Sequence, residues 1–455
     1  MKKFLWPIIL GLAALLNAEE PLLTVQVNHA AALLGDFQQS LYRDFVASRA
    51  EETFSRSKLY LKFTQAAAVY QGLSSTVFRL DQLRRLARQR ALLHLYNVRE
   101  LQFFAALDMD DKDYQLSRFY LERSKFKTFS HAGLDYFLRT DSEGKKYFCF
   151  YFAKGLLLLS NSPRAMESQL EKLKAGGKLF SSDSETLAEK TFDIFMRFTP
   201  AILDSPYFQS YWFHPDILRL KREWQSADVF LTAAPKKISE VRYYRLKNGP
   251  EKILSLGGES IPDGDLILMS SDPGEIDLLL RDFVAADRPA GLARPQKLLL
   301  VKKLDLDARL VLHNRHWLKL TCASAGEAGR WREALAGRLE LTSRYLEPLA
   351  VEQKNNDVLL SSPGDSAFHV KPLGENIIAY GFLKLDKVIA NSLGEIAAAQ
   401  ASPEFTLDDR GIFNDLLKPL LGILKRVASI EKYSYCDRQL LKQTVVYRLN
   451  GPAGG

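Results

Sequence analysis

Between Lys125 and Ser160 the chain writes four short apolar runs, "KFKTF", "LDYFLRT", "KYFCFYFA" and "LLLLS", with Gly133, Gly144 and Gly155 in the connections. Runs this short, rich in aromatic and aliphatic residues and bounded by glycine, fit strands joined by tight turns better than helices. Neighbouring strands with connections this brief must pair antiparallel, because a parallel pair needs a crossover of a dozen or more residues. In "KYFCFYFA" the two-residue period puts Phe148, Phe150 and Phe152 on one face and Tyr147, Cys149 and Tyr151 on the other. The phenylalanine face reads as core. The tyrosine face is the one surface here that would suit a glycan or apolar ligand, unless helices cover it.

The last run leads into Ser160-Asn161-Ser162-Pro163, where a serine can cap free N–H groups and proline opens a helix without losing a hydrogen bond. The joint returns as "LILMSSDP" from Leu266 to Pro273, and a third strand-to-Ser-Pro break is "DVLLSSPGDS" from Asp357. Upstream, "ALLHLYN" and "LQFFAALDMD" form a hairpin around Val98-Arg99-Glu100, followed by "YQLSRFYLERS" with Leu116, Phe119 and Tyr120 at helical spacing. "ARLVLHNRHWLKLTCAS" from Ala308, followed by "AGRWREALAGRL", echoes that hairpin and helix. The order strand, helices, hairpin at the start of the chain returns from "NIIAYGFLKL" to "QTVVYRLN".

Strands that run consecutively before helices indicate an α+β class. We expect antiparallel sheets with packed helices, in two or three degenerate repeats of a strand/helix/hairpin/helix/meander unit. Polar and Pro/Gly-rich stretches at 174–186 and 285–296 suggest boundaries. The expected division is a signal peptide at 1–18, an α+β module at 19–180, a helical connecting segment at 181–226, a second sheet segment at 227–290 and a C-terminal α+β module at 291–455.

The opening "MKKFLWPIILGLAALLNAEE" has two lysines, a short apolar core and Asn17-Ala18, the order of a secretory signal peptide cut after Ala18. No cysteine lies nearby for a lipoprotein anchor, and no later stretch is long enough for a membrane helix. The expected product is periplasmic or secreted. Its composition, 47% hydrophobic and 25% charged, is that of a globular protein. The net charge of +8 is scattered and reads as a solvated basic surface. Cys149, Cys322 and Cys436 are too few for a disulfide scaffold. One bridge, Cys322 to Cys436, and three free thiols both remain open.

Local chemistry is sparse. If Asn314-Arg315 is a two-residue turn, His313 and His316 face each other as a metal pair, but polar turn flanks are the simpler reading. Asp108 to Asp113 resembles the start of a calcium loop, yet lacks its glycine and closing glutamate, so helix capping is favoured. Ser55-Arg56-Ser57-Lys58 has the spacing of some acyl-transfer serines without their companion signatures. The arginines of "RLDQLRRLARQR" at 79–90 read as the outer face of a helix rather than a nucleic-acid site. No residue is assigned a catalytic, cofactor-binding or metal role, and no cofactor or nucleic acid is expected.

The signal peptide, the strand-to-helix joint Leu157 to Pro163 and the late "AYGFLKLDKV" from Ala379 together resemble uncharacterised secreted bacterial proteins of a domain-of-unknown-function type. The resemblance implies an exported α+β protein with repeated modules and carries no known activity. The expected role is a non-enzymatic scaffold or binding protein of the bacterial envelope, with an envelope protein, glycan or lipid as partner. The alternatives are an exported hydrolase with dispersed catalytic residues and a lipid or apolar-ligand carrier.

Overall fold

The computed structural model describes residues 20–29, 90–180, 191–205, 221–234, 236–248, 254–257, 259–284, 291–306, 312–336, 350–361, 371–373, 376–390, 427–437 and 439–450, with isolated positions between them. The signal segment, Ser55 to Lys58, most of 79–90 and the Ser-Pro break at Pro363 lie outside the described residues. The chain groups into two units, one closing at Thr232 and the other continuing from Ala233.

The first unit holds β1 (Leu23–Asn28), β2 (Arg90–Asn97), β3 (Gln102–Asp108), β4 (Lys127–His131), β5 (Leu134–Thr140), β6 (Tyr147–Ala153), β7 (Leu156–Ser160), β8 (Ile194–Phe198) and β9 (Trp224–Ala234). They pair antiparallel in the order β9-β8-β1-β2-β3-β7-β6-β5-β4. The run from β4 to β7 is the meander that its glycine turns predict. Ala132-Gly133 and Lys154-Gly155 both have positive φ, the left-handed pair that matches strand twist in a two-residue hairpin.

Three described helices cover this sheet: α1 (Asp111–Leu116), α2 (Arg118–Leu121) and α3 (Pro163–Lys174). Leu157 and Leu159 of β7 join Phe148, Phe150, Tyr114 and Phe119 in one core. Leu158 points the other way, into a second core with Phe104, Cys149, Met166 and Leu170. A strand buried on both faces needs an unbroken apolar run, which is why β7 reads Leu-Leu-Leu-Leu.

The second unit holds β10 (Lys237–Leu246), β11 (Ser260–Ile261), β12 (Leu266–Ser270), β13 (Lys297–Leu306), β14 (Leu312–Thr321), β15 (Ala350–Lys354), β16 (Asp357–Ser361), β17 (Lys371–Pro372), β18 (Ile377–Lys384), β19 (Val427–Asp437) and β20 (Leu440–Leu449). The small strands β11 and β17 pair with each other. The rest are antiparallel in the order β10-β20-β19-β18-β12-β13-β14-β16-β15. Helices α4 (Pro273–Val284) and α5 (Ala325–Ala336) share one core with Leu298, Leu300, Leu318 and Leu320, centred on Trp331. The opposite face is apolar at Ile267, Met269 and Val301.

The twice-written joint has the same local chemistry at both places. The Ser160 hydroxyl accepts from Ser162 N at 3.0 Å, and the Ser162 hydroxyl accepts from Ala165 N at 3.3 Å. Likewise the Ser270 hydroxyl accepts from Asp272 N at 3.0 Å, and Asp272 Oδ1 accepts from Gly274 N and Glu275 N. Each serine turns the chain out of its strand, and the next side chain caps the helix that proline opens.

Three expectations are corrected. The stretch expected to be helical at 181–226 contributes β8, with Phe195 and Phe198 buried and the strand paired to β1. Its buried residues are three apart, a spacing that a helix shares. His313 and His316 both lie within β14, in register with Asp305 and Lys302, so Asn314-Arg315 is not the turn. The helix expected from Tyr114 breaks at Ser117, with the result that Leu116 is not a core residue.

Candidate functional site

The break at Ser117 follows from its hydroxyl. Ser117 Oγ donates to Tyr114 O at 2.6 Å, closing α1, and accepts from Tyr120 N at 3.4 Å, opening α2. Serine competes with the helical ladder in this way wherever its hydroxyl finds nearby backbone groups. Asp110 caps α1 by accepting from Asp113 N at 2.7 Å, and Asp108 pairs with Arg90 at 2.8 Å, so capping accounts for these acidic residues. Among the described residues no group of three metal-ligating side chains occurs.

Two short helices with a kink between them present different side chains inward than one continuous helix would. Tyr114 stacks on Phe152 with centroids 3.8 Å apart, and Phe119 packs on Phe148 and Phe150. Phe126 meets Phe150 edge-on at 5.0 Å. With those three anchors buried, Leu116 and Leu121 turn outward, 70% and 62% exposed, and Tyr120 is 40% exposed.

Cations frame them. Arg118 and Lys125 share the single acid Glu122, at 3.1 and 2.6 Å. The Arg123 guanidinium lies over the Tyr120 ring at 5.3 Å. Lys112 and Lys127 are exposed. From Arg118 to Lys127 the sequence carries four basic residues and one acidic residue. Exposed leucines beside an aromatic ring, with acidic Asp110, Asp111 and Asp113 before them and the basic residues Arg123, Lys125 and Lys127 after them, make this segment the candidate interaction surface.

Other places are filled or satisfied. The tyrosine face of β6 lies under α3: Tyr147 and Tyr151 pack into the core that holds Met166 and Leu170. Beside it, Tyr136 donates to Glu167 at 2.8 Å, and burial, reinforced by that bond, pushes its phenol well up. His94, bonded to Thr24 Oγ1 at 2.8 Å and stacked on Phe104, is pushed down to about 4 by burial, with the Lys172 charge adding to the effect. In the second unit Tyr380 and Tyr433 both donate to Glu431 Oε1, at 3.2 and 2.6 Å, while Arg448 reaches Oε2 at 3.4 Å. Burial followed by the Glu431 charge holds Tyr380 far above the usual phenol range. A cavity of about 20 Å³ there has Lys297 held by Glu259 at 2.7 Å. That volume suits about one water.

The three cysteines are unbridged. Cys149 is pushed well up by burial, and Cys322 is pushed up to about 11 by burial together with Glu327 and Asp357, so both are protonated and inert at neutral pH. No described helix is long and apolar enough to cross a membrane, which says nothing of strands. The sequence pattern gave no sign of the outward leucines, because Leu116 fits the inward stripe until Ser117 ends the helix.

No protein-family model and no curated protein matches the chain. Among solved structures it is similar to crystal forms III, I and IV of TP0453, at 9%, 12% and 8% identity and TM-scores of 0.28, 0.26 and 0.28. The matches cover 51%, 51% and 62% of this chain and 79%, 78% and 87% of those chains. At that level nothing about this chain follows from the likeness.

Proposed function

We propose that this chain is an exported, non-enzymatic binding or scaffold protein of the bacterial envelope. It is built from two copies of one sheet unit and binds its partner through the α1–α2 surface. The duplication is supported by strand order. Seven strands of the first unit lie as β9-β8-β1-β2-β3-β7-β6, and seven of the second as β19-β18-β12-β13-β14-β16-β15. Numbered in chain order, both read 7-6-1-2-3-5-4. On this reading the counterpart of "LLLLSNSP" is "DVLLSSPGD" on β16, and "LILMSSDP" answers to β1. The resemblance of Pro163 to Pro273 is then shared local grammar rather than equivalent position.

The observation that carries the binding role is a contrast at equivalent places. Both α1–α2 and α5 follow the third strand of their seven. In α5 the large apolar residues Trp331 and Leu335 are buried, and the exposed positions are small or charged. In α1–α2 two leucines face out. The unit therefore does not require exposed leucines at this place, and a partner explains them.

The test places a photo-crosslinking amino acid at Leu116, Leu121 or, as control, Arg332 in the full chain expressed in a bacterium. Crosslinks to an envelope component from 116 and 121 but not from 332, on a chain cut after Ala18, are expected. Silence at 116 and 121, or a chain retained in the cytoplasm with residues 1–18 attached, would overturn the reading.

A further inference from the structure

We infer that β4 is a pairing edge, at which a second copy of this chain adds its own β4 antiparallel across a two-fold axis at Phe129. Among the described residues β4 pairs with β5 alone, and Lys127, Thr128, Phe129 and Ser130 are all exposed. An open edge presents a row of unpaired N–H and C=O groups, and is commonly blunted by a bulge, a proline or charged side chains. β4 has an unbroken register with β5, no proline, and a phenylalanine at its centre.

The backbone fixes the register. His131 and Leu134 flank the two-residue turn Ala132-Gly133, so they form a hydrogen-bonded pair, and alternation makes Phe129 and Lys127 the other residues whose backbone groups face β5. Thr128 and Ser130 therefore direct their N–H and C=O groups outward. Within the strand, a symmetric antiparallel neighbour satisfies all of these groups in one register only, with Thr128 of each copy opposite Ser130 of the other. Phe129 then meets Phe129 as the intervening non-hydrogen-bonded pair, with Cα atoms about 4.5 Å apart.

The side chains are self-complementary in that register. Lys127, Phe129 and His131 share the face that carries α3, where Phe129 stacks on Tyr136 and His131 meets Glu171 at 2.8 Å. An aromatic pair thus forms on the axis, with Tyr136 behind each ring. Lys127, which has no ion pair among the described residues, comes to stand opposite His131 of the second copy, beside a Glu171 side chain that is 64% exposed. On the other face Thr128 meets Ser130, once on each side of the axis. Aromatic, hydroxyl and opposite-charge pairs are those that stabilise antiparallel neighbours.

The corresponding strand of the second unit shows what blocks such pairing. β15 is also five residues long and pairs with β16 alone among the described residues. Centred in the same way, it would set the exposed Glu352 directly against Glu352, and like charges so placed repel. β4 carries at that central place a phenylalanine that is 43% exposed.

A contact of five residues a side is small against the roughly 800 Å² per partner of a stable interface, so the dimer is weak. Sedimentation of the chain from Glu19 onward should show mass rising from monomer towards dimer with concentration. Phe129→Glu, which sets like charges on the axis, and Ser130→Pro, which removes an outward N–H from each copy, should each weaken association by about tenfold or more. Lys127→Glu should weaken it too, and Glu171→Lys added to that variant should restore it. In a Cys436→Ser background, Phe129→Cys should join two copies under mild oxidation, because Cα atoms about 4.5 Å apart suit a disulfide. Ser130→Cys, which faces Thr128 instead of itself, should crosslink far less. A chain that stays monomeric at every concentration and gives no crosslink from position 129 would overturn the inference. So would a dimer that both Phe129→Glu and Ser130→Pro leave intact, or crosslinking as strong from position 130 as from 129.

Discussion

The two units solve the burial of an antiparallel sheet differently. In the first, apolar cores lie on both faces, under α1–α2 on one side and α3 on the other, and β7 is aliphatic at every position but its last. In the second, α4 and α5 share one face, and the strands β18 to β20 carry paired charge. There Glu431 and Lys432, adjacent on β19, point to opposite faces: Glu431 meets two tyrosines, and Lys432 meets Glu275 of α4 at 2.7 Å. Arg242 and Glu240 pair at 2.6 Å nearby on β10. One strand order thus accepts interiors that differ in how much polar chemistry they hold. Most of the buried polar groups are paired in both, as at Arg197 with Asp228 and at Glu431, while Ser434 Oγ on β19 finds no partner among the described residues.

The sharpest way to break this contrast is to open cavities on the two faces of the first unit. Phe104 and Phe150 are both fully buried and belong to different cores. Phe104→Ala and Phe150→Ala should each cost about 3–5 kcal/mol by chemical denaturation. A small cost for Phe104→Ala alone would mean that the α3 face is a dispensable cover rather than a second core.

Acid probes the same core through His94. With its folded value held near 4 against the ordinary 6.5, the neutral ring is the one that the fold accepts. The stabilisation is complete above about pH 6.5 and is lost as pH falls toward about 4, for a total of about 3 kcal/mol. His94→Phe should flatten that limb of the stability profile. A slope that persists unchanged in the variant would place the acid sensitivity elsewhere.

The smallest effect is expected in the polar network of the second unit. Glu431→Ala leaves the hydroxyls of Tyr380 and Tyr433 without their acceptor and should cost about 2 kcal/mol, whereas Glu431→Gln, which keeps an acceptor, should cost about half of that. Equal costs for the two would show that the Arg448 contact rather than the tyrosine bonds holds the cluster.

Local features were legible in the sequence because they are set by neighbouring residues. The hairpin at Val98-Arg99-Glu100, the meander from β4 to β7 and the capped joints at Ser162 and Asp272 all rest on turn glycines and short side-chain bonds. The kink at Ser117 was hidden, since a serine in a helical pattern breaks it only when its hydroxyl is drawn to the backbone on both sides. β8 was hidden because an aromatic strand and a buried helix share one vocabulary over five residues. Strand order is set by pairings between distant segments, such as β1 with β8, and no local signal reports them. The candidate surface was illegible for the first of these reasons: which way Leu116 faces depends on the kink.

The interior place of β1 has a consequence for the order in which the chain is made. Of the strands in its unit β1 is synthesised earliest, yet its two flanks are β2, beginning at Arg90, and β8, ending at Phe198. Until that last segment has been synthesised, one ribbon of β1 amides and carbonyls stays open to any passing strand, the situation that invites misassembly. Completion of this unit therefore waits on a late segment, whatever the speed of its short, quick-forming hairpins.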